Sequence, residues 1–108
     1  MDDTRYKLIV TIVNEGKSGK VIEVAHRVGA SGATILAGHG AAVRLFLGIS
    51  IDPEKELVIM VVEEEKAQAV IETIAEEMEL DNPHKGLAFM LSLDQVFGFS
   101  TAKEDEEF

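Results

Sequence analysis

Three short clusters in this 108-residue chain hold residue types able to grip an anion: Gly16-Lys17-Ser18, Gly38-His39-Gly40 and His84-Lys85-Gly86. The first matches the tail of the P-loop phosphate signature. That signature needs a glycine five residues earlier, so that a wide loop can wrap phosphates with backbone N–H groups. The position is Thr11, inside the apolar run YKLIVTIV, which leaves no room for the loop. The expectation is a tight strand-to-helix turn in which Gly16 gives backbone freedom and Ser18 caps the helix, with Lys17 not a phosphate ligand. The other two clusters suit phosphate better. Their glycines permit close approach of backbone donors, and Lys85 supplies positive charge. His39 and His84 are potential metal ligands, but no third ligand stands at a spacing that would make them a metal site. His26 falls on a helical pattern and reads as a surface residue. Arg44 is a lone loop arginine able to meet an anion or a partner. Glu63-Glu64-Glu65 suits the positive end of a helix dipole. There is no cysteine nucleophile, no serine–histidine pattern and no dense ligand cluster, so catalysis is not expected.

These clusters sit in an acidic chain, with 20 acidic against 10 basic residues and a net charge of -10. That balance excludes a broad phosphate-neutralising face, and nucleic acid is not an expected partner. Any anion must find a local positive focus. With no cysteine, disulfides and thiolate metal sites are excluded. The start Met1-Asp2-Asp3 is acidic where a signal peptide would be basic, and no apolar run nears the roughly 20 residues of a membrane span. A cytoplasmic single domain over residues 1–108 is the expectation, with a frayed acidic tail at about 100–108.

The elements that must position the clusters follow from periodicity. Residues 6–13 form a buried strand. From Ser18 the period becomes helical, with Val21, Ile22, Val24, Ala25 and Val28 on one stripe and Gly29 at the left-handed cap. Residues 33–36 form a short strand. RLFLGISI and ELVIMVV read as two strands joined by a turn over Asp52-Pro53-Glu54-Lys55. A second helix covers about 64–78, with Ala67, Val70, Ile71, Ile74 and Met78 inward. LAFMLSL is a further strand and DQVFGF a short terminal element. The order β-α-β-β-α-β predicts an α+β, ferredoxin-like sandwich, a four-stranded antiparallel sheet with two helices on one face. The strands are nearly continuously apolar, as in sheets buried on both faces. Two helices cover only one face, so an oligomer is expected to cover the other.

Residues KLIVTIVNEGKSGKVIEVAHRVGASGATILAGHG, a strand pair, and NPHKGLAFMLSLDQVFG together resemble the PII-like branch of the PII nitrogen-regulatory superfamily. GATILAGHG and KGLAF carry most of the resemblance. It implies a homotrimer with the sheets facing inward. It implies a signal-transduction regulator that needs no cofactor and binds a small effector, an adenine nucleotide such as AMP, ADP or ATP or another small anion, between subunits. It implies a flexible T-loop that docks on a membrane transporter or enzyme. Carried onto this chain, the nucleotide-binding positions are Ile12, Thr34, Gly38, His39, Gly40, Val62, His84, Lys85 and Gly86. The partner loop is Ala41, Ala42, Val43, Arg44 and Leu45, and the segment from Ala41 to about Phe46 is expected to be mobile without ligand or partner. Departures accompany the match. Leu87 stands where the family has a lysine, Ala42 replaces the glutamine that helps hold Mg and 2-oxoglutarate, and Phe97 and Phe99 occupy the region of the C-terminal arginines. The loop has no tyrosine or serine for modification. Phe97 and Phe99 are expected to pack on a neighbouring subunit. The alternative is a binding module for something other than a nucleotide, or a structural oligomer of the same fold.

Overall fold

The computed structural model describes residues 4–40, 45–46, 49–50 and 54–99. Strand β1 (Tyr6–Asn14) leads through a turn into helix α1 (Ser18–Arg27), then β2 (Thr34–His39). Two short strands follow, β3 (Leu45–Phe46) and β4 (Ile49–Ser50), then β5 (Glu54–Glu63), helix α2 (Glu64–Glu77) and β6 (Gly86–Leu93). The main sheet is antiparallel with order β2-β5-β1-β6. This is the ferredoxin-like arrangement that the element order predicts.

One expected strand is placed differently. The described residues of RLFLGISI contribute no strand to the main sheet; β3 and β4 from within it pair with each other. The strand beside β2 is β5, which begins at Glu54, so Glu54 and Lys55 of the expected turn are strand residues paired with His39 and Gly38; Asp52 and Pro53 lie outside the described residues. DQVFGF, read as a terminal element, forms no helix or strand.

Alternation sorts the strands into two faces. Ile9 and Val13 of β1, with Val58, Met60 and Val62 of β5, point toward the helices. Val21, Val24 and Ala25 of α1 and Ala67, Val70 and Ile74 of α2 close over them. Both helices bury the stripes their periodicity predicts. Thr11 also faces this core, fully buried, and its hydroxyl has no hydrogen-bond partner among the described residues.

The opposite face is open and apolar. Residues paired across strands share a face. One row therefore runs Leu36, Leu57, Ile12, Leu87, and the next Thr34, Ile59, Val10, Phe89. Leu8, Val61 and Leu91 extend the layer. Leu87 and Leu91 remain about half exposed, at 50% and 49%.

Both helices end in the same cap. After α1, the Gly29 N–H bonds the His26 carbonyl and the Ala30 N–H bonds the Ala25 carbonyl, with Gly29 at φ 112° as its position predicts. After α2, Glu79 and Leu80 repeat the pattern onto Glu76 and Ala75. Here Glu79 takes the left-handed conformation at φ 55° without being glycine. Glu64 and Glu65 occupy the first turn of α2, against its positive end.

Candidate functional site

The turn between β1 and α1 decides the fate of Gly16-Lys17-Ser18. Ser18 is the first helical residue, and the cap position falls on Lys17, which makes no side-chain cap bond. This corrects the expected Ser18 cap. The capping group comes from β5: one oxygen of Glu56 accepts the N–H groups of Gly16 and Ser18, each at 3.0 Å. A carboxylate of the chain itself thus fills the place a phosphate would take. The backbone N–H and hydroxyl of Ser18, then the N–H of Gly16, hold the Glu56 carboxyl below its ordinary range. A lowered folded value means the stabilisation is present above the unfolded pKa of about 4.3 and is lost as pH falls through the folded value. Glu56→Gln is expected to melt below wild type at neutral pH, with the gap closing on acidification from about pH 5 to 3. A gap independent of pH would show that ionisation of Glu56 adds nothing.

The neighbouring residue faces the other way. Lys55 pairs in register with Gly38 on one side and Asn14 on the other, on the open face. Its ammonium donates to Asn14 Oδ1 at 2.6 Å, and Asn14 Nδ2 donates to the His84 carbonyl at 3.0 Å. A polar chain therefore crosses the end of the sheet from Gly38 to the loop before β6. An ammonium carries three donors, so the bond to Asn14 does not exhaust Lys55.

This chain links two of the expected clusters. Gly38-His39-Gly40 lies at the β2 edge and His84-Lys85-Gly86 at the β6 edge. Three strand spacings separate those edges, about 14 Å in all, so His39 and His84 do not form a pair within one chain. The side chains of His39 and Lys85 are exposed, and neither makes a hydrogen bond or ion pair among the described residues. Among those residues no group of three or more His, Asp or Glu is placed to hold a metal. His84 adopts φ 65° and Gly86 φ 136°.

Thr34 stands apart from these clusters. Beside it, at the far end of β2, opens a groove of about 500 Å³ whose walls include Ser31, Gly32, Thr34, Ile59, Val61 and Phe99. Ile12 lies on the same sheet face, paired with Leu57. Val62 does not: its side chain is 2% exposed, under the helices. Val61, one residue earlier, has the groove-facing side chain, because neighbouring strand residues point to opposite faces. Phe99 packs on its own chain, with its ring edge-on to Tyr6 at 4.9 Å, while Phe97 is 88% exposed. Gly40 follows β2, but 41–44 lie outside the described residues, as do the side chains of 45–46.

Sequence reasoning passed over Lys55, Asn14, Glu56 and Val61. The available signal was the run of three charges, Glu54-Lys55-Glu56, that opens an otherwise apolar strand, since alternation must send Lys55 and Glu56 to opposite faces.

The model of the nitrogen regulatory protein P-II family matches residues 6–103. Among solved structures, B. subtilis GlnK in its ATP complex aligns with a TM-score of 0.69 at 16% identity, covering 83% of this chain and 85% of that one. Arabidopsis thaliana PII bound to citrate aligns at 0.65 with 22% identity, covering 84% and 77%. Likeness at this identity speaks to the fold. No curated protein matches significantly.

Proposed function

Since the chain belongs to the P-II nitrogen regulatory protein family, we propose that it is a cytoplasmic homotrimeric regulator, not a catalyst. It takes an adenine nucleotide or similar small anion at clefts between subunits and controls a membrane transporter or enzyme through the loop at 41–45. The observation that carries this reading is the chain Lys55–Asn14–His84 across the end of the open face. It sets a cation beside Gly38, in a protein whose net charge of -10 would otherwise repel anions. The breadth of the sheet supports a site between subunits, because Gly38-His39-Gly40 of one copy and His84-Lys85-Gly86 of another can adjoin when single-chain edges cannot. The open apolar layer supports the oligomer that this requires.

Calorimetric titration with AMP, ADP, ATP and cyclic AMP tests the proposal. Lys55→Ala and Lys85→Ala are each expected to weaken binding by about 1–3 kcal/mol, the range for a charge-assisted hydrogen bond. Lys17→Ala is expected to leave affinity unchanged, because Glu56 already holds that turn. If wild type binds none of the four at millimolar concentration, the proposal fails. The non-nucleotide module then leads, as Ala42, Leu87, Phe97 and Phe99 at the family's polar positions would favour.

A further inference from the structure

We propose that Phe99 is the specificity-determining residue of this cleft, walling the groove beside Thr34 so that it accepts a planar heteroaromatic base. The inference rests on the proposed nucleotide reading and adds to it the residue that chooses which end of the ligand goes where.

Charge is segregated along β2. The groove at the Thr34 end has no ionisable wall: Ser31, Gly32, Thr34, Ile59, Val61 and Phe99 surround it. A phosphate or carboxylate would find nothing there to neutralise it. Ile59 and Val61 offer an apolar floor, Thr34 and Ser31 offer hydroxyls for ring nitrogens or exocyclic groups, and Phe99 offers an aromatic face. That combination suits a flat, polar-edged ring. The cation lies at the other end, where Gly38 pairs with Lys55. Four residues of strand separate Thr34 from Gly38, about 13 Å. The ligand that satisfies both ends has an uncharged planar head and an anionic tail.

Phe99 is held for this task from one side. Its ring meets Tyr6 edge-on, with centroids 4.9 Å apart and planes at 61°. The same ring borders a second cavity, of about 680 Å³, next to Arg5 and Gln95. It is therefore a partition between two cavities and not a core residue. Removing it would join them and leave the base without a wall.

The chain has no tryptophan, so Phe99→Trp introduces a unique reporter. AMP is expected to quench its emission, and ribose 5-phosphate, which lacks a base, is not. In calorimetry, Phe99→Ala is expected to bind AMP about 5- to 150-fold more weakly, the span for losing one base–aromatic stack. Its affinity for ribose 5-phosphate should equal that of wild type. Phe99→Leu keeps bulk without an aromatic face, so it should share most of the loss while melting like wild type. If Phe99→Ala and Phe99→Leu bind AMP as wild type does, or saturating AMP leaves the tryptophan emission unchanged, the inference is overturned while the nucleotide reading stands. A wild type that binds no nucleotide removes both.

Discussion

Phe89→Asp is expected to convert the assembly into folded monomers. Phe89 stands midway along the edge strand β6, on the open layer, at the end of the row formed with Thr34, Ile59 and Val10. It is 41% exposed among the described residues, a large share for a phenyl ring on an apolar layer. In the proposed trimer the ring is buried against neighbouring subunits. Deleting a buried phenyl costs about 3–5 kcal/mol, and each subunit would lose it. Aspartate adds the cost of dehydrating a carboxylate opposite apolar side chains. The fold itself should survive, because the helix-side core contains no atom of Phe89. Sedimentation velocity at micromolar concentration should give a trimer for wild type and a monomer for the variant, with matching circular dichroism. A Phe89→Asp protein that sediments like wild type would put the subunit contact elsewhere.

Gly86→Ala is expected to be the most damaging small substitution in the described chain. Gly86 has φ 136°, a conformation that side chains rarely adopt. A Cβ there would strike the carbonyl oxygen of Ile12. That oxygen cannot retreat, because β1 is paired on both sides, with β5 and β6. Strain and clash together should cost at least about 2–3 kcal/mol, a fall in Tm of about 10–15 °C. Gly38→Ala is the control. Its Cβ would come within 3.3 Å of Leu57 Cδ1, the flexible end of a side chain. It should melt close to wild type. Equal melting of both variants would mean that the β1–β6 contact is looser than the close approach indicates.

The two glycines look alike in sequence, each in a short histidine-containing cluster, Gly38-His39-Gly40 and His84-Lys85-Gly86. Only the register of β6 against β1 separates a glycine required by backbone contact from one that leaves room. The same limit applies elsewhere. Helix stripes, the Gly29 cap and the apolar second face were legible because each depends on local spacing. The Glu56 cap and the Lys55–Asn14–His84 chain were not, since their partners lie 38, 41 and 70 residues apart. Val62, carried over from the resemblance, points under the helices while Val61 faces the groove, because one position along a strand inverts the face. RLFLGISI has the composition of a sheet strand, yet its described residues pair only with each other, because β5 alone continues the register beside β2.

That ambiguity also confronts the folding chain. LIVTIV and LVIMVV are apolar at nearly every position, so β1 and β5 could slide past each other by one residue and still bury comparable side chains. What distinguishes the native alignment is the pair Lys55 and Glu56. Native pairing gives each a waiting partner, Asn14 on one face and the Gly16–Ser18 amides on the other. A shift of one residue would turn the carboxylate toward the open face and the ammonium toward the helices, leaving both charges without partners. The pair therefore acts as a proofreading key for strand alignment. Replacing both with leucine should yield a chain that still collapses but populates misaligned sheets and refolds in several kinetic phases.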